Sequence, residues 1–184
     1  MCKDAQGRGR LAKNLVTGTV MSNIGFHKYL KDMGCETRAT DVGDRYVLED
    51  MLKTGGIIGG EQSGHIIFLD KTTTGDGILS SIQLVRAVLK SGKNASELSD
   101  EIIIYPQVLV NAKVTNENKK RYMEDEEVVK AFDEVSAKLG DTGRLLVRPS
   151  GTEPLVRVMI EGEDTKSITE MAEELADMLS KKFG

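Results

Sequence analysis

The chain has 184 residues, a formal net charge of −4 and a hydrophobic share of 39%. This length suffices to bury a core without disulfide or metal support, and the composition indicates a folded globular protein rather than a disordered one. The acidic balance argues against a nucleic-acid-binding surface. No apolar run approaches the roughly 18–20 residues that a membrane span requires. We therefore expect neither nucleic acid nor a membrane as a partner.

The start of the chain and its two cysteines indicate the compartment. Cys2 and Cys35 stand apart with no CxxC pair, a pattern typical of reduced thiols in a cytoplasmic protein rather than of a disulfide or zinc site. Residues 1–14 contain no apolar stretch of the kind that a signal peptide requires. We therefore expect a cytoplasmic protein. Residues 1–14 also begin no element cleanly, and we interpret them as the remnant of a preceding domain.

Strands and helices alternate over residues 15–104. The predicted elements are a strand over 15–21, a helix over 25–33, a strand over 35–40, a helix over 45–53, short strands over 57–59 and 65–69, and a helix over 76–91. Asn23, Asp44 and Asp76 stand where helix N-caps are expected, and Gly34 and Gly55 where helices end. This alternation predicts an α/β layer with parallel strands.

The predicted helix over 76–91 is the most apolar one. Ile78, Ile82, Val85 and Leu89 recur at helical spacing. Three further apolar residues widen this stripe: Leu79, Leu84 and Val88. We therefore expect this helix to be buried on most of its sides.

A second unit is predicted over residues 105–184, with the boundary near 103–107. Its expected elements are a strand over 108–114, a helix over 124–139, strands over 144–148 and 155–160, and a final helix capped by Asp164. Two strands joined by a short loop and flanked by helices predict a smaller α+β domain, with an antiparallel sheet and helices on one face.

The loop RPSGTEP at 148–154 is a candidate anion site. Gly151 allows consecutive backbone N–H groups to curl into a nest, and Ser150 and Thr152 add hydroxyl donors. Arg148 and Arg157 can supply charge-assisted contacts to phosphate. A polar hairpin turn with solvated arginines fits the spacing about equally well.

The segment GEQSGH at 60–65 is a candidate sugar site. Its carboxylate, amide, hydroxyl and imidazole suit the vicinal hydroxyls of a sugar. Ser63 and His65 do not form a nucleophile elbow, because the spacing is G-x-x-S-G rather than G-x-S-x-G. From the residues alone, a structural role for His65 is favoured somewhat over a catalytic one.

Two glycine–aspartate turns complete the candidates. Asp76, in TTGDG, is interpreted as a helix cap, because one aspartate among glycines is too few ligands for Mg²⁺ or Ca²⁺. Asp44 and Arg45 fit either a cap with a surface ion or a loop that faces a ligand.

Five motifs, taken together, resemble the α-D-phosphohexomutase superfamily. They are GTVMSN at 18–23, VGDRYV at 42–47, GEQSGH at 60–65, TTGDG at 73–77 and RPSGTEP at 148–154. The first two are most similar to those of the bacterial phosphoglucosamine mutases within it. The resemblance covers essentially the whole chain, and five motifs in register are far more specific than any one of them.

The resemblance implies part of a four-domain enzyme. Residues 15–104 would be its third domain, α/β with a mixed sheet, residues 105–184 its α+β fourth domain, and residues 1–14 the end of the second. In this family the phosphoserine lies in the first domain and the Mg²⁺-binding loop in the second. This chain contains neither a T-A-S-H-N-like serine loop nor a D-G-D-G-D-R-like metal loop. We therefore expect no catalytic residue and no metal ligand here, with magnesium in the parent enzyme and the missing N-terminal domains as partners.

The implied reaction interconverts glucosamine 6-phosphate and glucosamine 1-phosphate through a phosphoserine enzyme and a glucosamine 1,6-bisphosphate intermediate, in the synthesis of peptidoglycan precursors and UDP-N-acetylglucosamine. A homodimeric parent is compatible with it. The chain alone is expected to bind the hexosamine phosphate weakly and not to turn it over. The residues implied in sugar binding are Glu61, Ser63 and His65, with Gly43 and Asp44. Those implied in phosphate binding are Arg148, Ser150, Gly151, Thr152 and Arg157.

Two alternatives stay open at this point. One is a free-standing sugar-phosphate-binding module without a catalytic parent. The other is a phosphomannomutase or phosphoglucomutase of the same superfamily, because the residues that would distinguish the sugars are not identifiable from first principles.

Overall fold

A computed structural model describes residues 1–184 of the chain. The chain divides into two compact units, Met1–Ile104 and Tyr105–Gly184. No helix combines the length and the apolar character needed to cross a membrane.

The first unit is built on a four-stranded sheet with strand order β2-β1-β3-β4. Its strands are β1 (Leu15–Thr19), β2 (Glu36–Thr40), β3 (Ile58–Gly60) and β4 (Ile66–Phe68). β1 pairs in parallel with both β2 and β3, whereas β4 runs antiparallel to β3. The prediction of an α/β fold with a mixed sheet is thus confirmed. The antiparallel pair matters for the site, because its connection is the segment that contains GEQSGH.

The first unit also contains five α-helices: α1 (Cys2–Gly7), α2 (Ile24–Asp32), α3 (Asp44–Thr54), α4 (Gly77–Ser91) and α5 (Ala95–Ser99). Two predicted caps are confirmed, since Asn23 accepts a hydrogen bond from the Gly25 N–H and Asp76 accepts one from the Leu79 N–H. The predicted Asp44 cap is wrong. Gly43 is the N-cap residue of α3, with φ +133°, a backbone conformation that glycine adopts most readily, and Asp44 is the first helical residue.

Helix α4 is exposed along its apolar stripe, which corrects the expectation that it is buried on most sides. Ile78 is 76% exposed and Leu89 77% exposed, and Ile82, Leu84 and Val85 are also exposed. Only Ala87 of this helix is buried. The periodicity was sufficient to predict an amphipathic helix, but periodicity does not determine whether a partner covers the apolar face.

Residues 1–14 pack within the first unit. Ala5 and Leu11 are buried and join Val16, Leu30 and Phe68 in one apolar cluster. Glu101 lies close to the last residue of the first unit, and hydrogen bonds from Lys3, Lys93 and Tyr29 lower its pKa to about 2. This carboxylate therefore joins the start of the chain, α2 and the segment after α5.

The second unit is built on a three-stranded antiparallel sheet with order β5-β7-β6. Its elements are β5 (Gln107–Lys113), α6 (Glu126–Leu139), β6 (Arg144–Pro149), β7 (Leu155–Glu161) and α7 (Thr165–Phe183). Alternate residues of β7, namely Val156, Val158 and Ile160, are fully buried in the core that α6 and α7 share. The predicted antiparallel α+β architecture is confirmed, and Asp164 caps α7 as expected.

Candidate functional site

The turn between β3 and β4 brings Glu61, Ser63 and His65 together. Glu61 Oε1 accepts a hydrogen bond from Ser63 Oγ at 2.7 Å and lies 3.1 Å from His65 Nδ1. The Glu61 side chain is only 9% exposed, whereas that of His65 is 57% exposed. The turn is closed by a backbone hydrogen bond from Glu61 N to His65 O at 3.0 Å. A carboxylate at its base and a hydroxyl and imidazole at its surface can face the hydroxyls of a sugar.

Gly43 belongs to the same cluster, but Asp44 does not. The Gly43 N–H donates to Glu61 Oε2 at 3.2 Å, so this carboxylate links the start of α3 to the β3–β4 turn. Asp44 is exposed and makes no hydrogen bond to the turn. Its carboxylate lies in the first turn of α3, where it interacts favourably with the helix dipole.

Ser63 and His65 lack the geometry of a hydrolytic pair. In a serine–histidine–acid triad, the serine and the acid contact opposite nitrogens of the imidazole. Here Ser63 Oγ lies 3.0 Å from Nδ1, the same nitrogen that faces Glu61. A proton cannot be relayed through the ring in this arrangement, which agrees with the exclusion of a nucleophile elbow from the spacing.

The segment TTGDG approaches this cluster through a glycine. A Cβ atom built on Gly75 would lie 3.6 Å from His65 Cδ2, within van der Waals contact. Asp76 is committed to its cap on α4. No group of three or more His, Cys, Asp or Glu side chains is placed to hold a metal ion.

In the second unit, the loop between β6 and β7 is closed by its own hydrogen bonds. The Ser150 N–H donates to Leu155 O at 2.9 Å, and Ser150 Oγ, in a residue that is 3% exposed, accepts from the Glu153 N–H at 3.2 Å. The N–H groups of Gly151 and Thr152 have no hydrogen-bond partner in the unit. No residue of the loop has positive φ. The loop leaves two consecutive N–H donors available, as an anion-binding turn requires.

Two arginines stand directly opposite each other beside this loop. Arg148 on β6 pairs in register with Arg157 on β7, so their side chains share one face of the sheet. Arg157 donates to Glu153 Oε2 at 3.1 Å, while its Nε is buried without a hydrogen-bond partner. Arg148 has no carboxylate partner within the unit. Like charges in directly opposed positions are unfavourable, and a bound anion would relieve that repulsion.

Lys119 is a residue at this loop that sequence reasoning missed. Its Nζ donates to Ser150 O at 3.0 Å and to Glu153 O at 3.4 Å. Lys119 lies in the polar segment TNENKKR between β5 and α6, where nothing in the pattern distinguishes it from Lys120. The contact depends on how the chain folds back on itself, so no local signal could have revealed it.

A separate cavity of about 570 Å³ lies in the first unit, away from the β3–β4 turn. It is lined mainly by apolar residues of α1, α2, α4 and the end of the unit, among them Met1, Tyr29, Leu84 and Val88. Two of its lysines, Lys3 and Lys93, are already paired with Glu101, so the cavity is a poorer phosphate site than the 148–154 loop.

Both units match known families of domains. Residues 1–105 match the family model described as phosphoglucomutase/phosphomannomutase, alpha/beta/alpha domain III. Residues 109–178 match the model of the phosphoglucomutase/phosphomannomutase C-terminal domain.

Curated relatives and solved structures agree with these matches. The chain is 52% identical over 180 residues to the phosphoglucosamine mutase of Caldanaerobacter subterraneus subsp. tengcongensis, covering 98% of this chain and 40% of that protein. It is 52% identical over 183 residues to the phosphoglucosamine mutase of Clostridium kluyveri, covering 41% of it. Aspergillus fumigatus N-acetylphosphoglucosamine mutase, in complex with GlcNAc-6P and magnesium, has the same fold, with a TM-score of 0.76 at 18% identity, over all of this chain and 42% of that one. The chain thus spans about two fifths of the length of these relatives.

Proposed function

The chain belongs to the phosphoglucomutase/phosphomannomutase family, and from this premise we propose that it is the substrate-binding part of a phosphoglucosamine mutase. The full enzyme would interconvert glucosamine 6-phosphate and glucosamine 1-phosphate through a phosphoserine and a glucosamine 1,6-bisphosphate intermediate. Relatives with that name are 52% identical to almost the whole chain, which supports this choice of sugar within the family.

The observation that carries the proposal is the pairing of Arg148 with Arg157 across β6 and β7. Two guanidinium groups on one face, one of them without a carboxylate partner in its unit, suit the two negative charges of a phosphate monoester. The N–H groups of Gly151 and Thr152 add uncharged donors at the adjoining loop. We therefore assign phosphate binding to residues 105–184, through Arg148, Ser150, Gly151, Thr152 and Arg157.

Sugar binding is assigned to the first unit, residues 15–104. Glu61 is an acceptor fixed from three sides by Gly43, Ser63 and His65. A carboxylate has about four lone-pair sites on its two oxygens, so Glu61 can accept hydrogen bonds from more than one hydroxyl of the sugar. This property suits an intermediate that must turn around between two half-reactions. Asp44, exposed at the start of α3, is the least supported member of the set.

The chemistry of the full enzyme would depend on groups outside this chain. Phosphoryl transfer is promoted by positioning and by stabilisation of charge, and binding of the remote phosphate contributes the positioning. The phosphoserine and the magnesium ligands would lie in the N-terminal domains that complete the longer relatives. We also propose that the enzyme acts in the cytoplasm on the route to peptidoglycan precursors, and that this chain by itself binds substrate weakly without turnover.

Titration of the ¹⁵N-labelled chain with glucosamine 6-phosphate tests the proposal. Binding should shift the amide signals of the 148–154 loop and of the 60–65 turn. Arg148→Ala should weaken binding about tenfold or more, the equivalent of a lost charge-assisted contact. Arg121→Ala is the matched control, because Arg121 is an exposed arginine of the same unit that pairs only with Glu124. Equal affinity for both variants would contradict the assigned phosphate site.

Two further measurements separate the alternatives. Formation of glucosamine 1-phosphate by this chain with magnesium would contradict the claim that the nucleophile lies elsewhere. A clear preference of the chain for glucose 6-phosphate or mannose 6-phosphate over glucosamine 6-phosphate would favour a phosphoglucomutase or phosphomannomutase instead.

A further inference from the structure

Lys119 contacts the loop of the second unit from outside the strands that carry it. Its ammonium group donates to two backbone carbonyls, those of Ser150 and Glu153, which flank Gly151 and Thr152. Lys119 forms no ion pair, unlike Lys182, which contacts the carboxylates of Asp125 and Glu127. The positive charge of Lys119 is therefore directed at the loop backbone.

The turn that carries Lys119 is itself anchored. The Lys119 N–H donates to Thr115 O at 2.9 Å, and the Thr115 N–H donates to Phe183 O at 3.0 Å at the end of α7. The Asn118 side chain donates to the same Phe183 carbonyl at 3.3 Å. Lys119 is half-buried, and its side chain is therefore held at the backbone by these hydrogen bonds and at the ammonium group by the two loop carbonyls.

Peptide planarity links this contact to the donors of the site. The C=O of Ser150 and the N–H of Gly151 belong to one planar trans peptide unit and point in opposite directions. When Lys119 holds that carbonyl on its own side, the Gly151 N–H is turned to the other side. The Gly151 N–H is one of the two loop donors without a partner in the unit. The ammonium group thus orients a donor that it does not touch.

We propose that Lys119 is a positioning residue for phosphate, which fixes the 150–153 backbone so that the Gly151 and Thr152 N–H groups are presented to the anion. This inference rests on the proposed function, since it assumes that the loop binds phosphate. Lys119 itself does not contact the ligand in this scheme.

The test uses the whole ¹⁵N-labelled chain and inorganic phosphate as the probe. Lys119→Met removes the ammonium group while keeping a long side chain, and Lys120→Met is the matched control, because Lys120 is exposed and makes no side-chain hydrogen bond or ion pair. Lys119→Met should weaken phosphate binding about tenfold and accelerate hydrogen exchange of the Ser150 and Glu153 amides. Lys120→Met should change neither. Unchanged protection of the Val158 amide, in the core, shows that each variant is folded.

Each other outcome has a defined meaning. Wild-type affinity in Lys119→Met would overturn the inference. Weaker binding with unchanged exchange at Ser150 and Glu153 would also overturn it, because Lys119 would then act through its charge alone. Lys119→Arg separates the effect of the charge from the effect on the loop backbone. If this variant binds phosphate normally but does not protect the Ser150 and Glu153 amides from exchange, positioning is again excluded. If the unsubstituted chain does not bind phosphate, the proposed function fails, and the exchange comparison alone decides whether Lys119 orders the loop.

Discussion

The two candidate loops use their polar groups in opposite ways. In the 60–65 turn, both oxygens of Glu61 already accept hydrogen bonds, from Ser63 and from the Gly43 backbone. In the 148–154 loop, the N–H groups of Gly151 and Thr152 donate to nothing in the unit, and neither does the Nε of Arg157 on the adjoining strand β7. The polar groups of the first loop are hydrogen-bonded to one another, whereas the second loop has donors that are free to bind a ligand.

This difference has an energetic consequence. A ligand at the 60–65 turn exchanges hydrogen bonds that already exist, so its net gain is small. An anion at the 148–154 loop satisfies donors that are otherwise unpaired and relieves repulsion between Arg148 and Arg157. We therefore expect most of the binding affinity to come from the phosphate group of the ligand. We expect the Glu61 cluster to contribute mainly to the stability of the first unit.

Among changes within the two loops, Glu61→Ala should have the largest effect on stability. Removal of the carboxylate leaves the Gly43 N–H without its acceptor, takes away the shorter hydrogen bond of Ser63 and removes the polar link between α3 and the β3–β4 turn. The free energy of unfolding of the first unit should fall by about 1–3 kcal/mol. Urea unfolding followed by NMR at the amides of β1 measures it.

Glu36→Ala is the control for this experiment, because Glu36 is an exposed glutamate of the same unit without a side-chain partner. Equal stability of the two variants would show that the turn does not depend on Glu61, and the contrast between the loops would disappear.

Glu153→Gln should have a smaller effect, and its effect is on phosphate affinity, which should rise rather than fall. Glu153 holds Arg157 at 3.1 Å and competes with a phosphate for its guanidinium group. Both side chains are partly exposed, so solvent weakens the pair. Affinity for inorganic phosphate, measured by NMR titration, should rise about two- to fivefold.

Glu117→Gln provides the matched control, since Glu117 is exposed and unpaired in the same unit. A loss of affinity in Glu153→Gln would mean that Glu153 holds Arg157 in its binding position rather than competing for it.

Much of the fold could be predicted because the signals are local. Side chains that cap helices, such as Asn23, Asp76 and Asp164, act within three residues of their own position. The Asp44 cap failed for a local reason as well, because Gly43 takes the positive φ that precedes the helix.

The parts that could not be predicted depend on contacts between distant segments. The stripe on α4 shows helical period but not whether anything covers it. Register between β6 and β7 places Arg148 opposite Arg157, although they are nine positions apart in sequence. Lys119 reaches carbonyls more than thirty residues away. The motifs therefore indicate where a site lies, whereas its geometry depends on strand pairing and on contacts between segments that are distant in sequence.

The smallest expected change in stability is that of Arg148→Ala. Arg148 has no carboxylate partner in its unit and stands opposite another arginine, so its removal takes away repulsion as well as packing. The free energy of unfolding of the second unit should stay within about 0.5 kcal/mol of the original value, although phosphate binding weakens about tenfold or more. Arg144→Ala on the same strand is the contrasting variant, because it removes the 2.7 Å ion pair of the fully buried Glu161 and should unfold at clearly lower urea. A strong loss of stability in Arg148→Ala would show that this arginine stabilises the sheet and is not free to bind an anion.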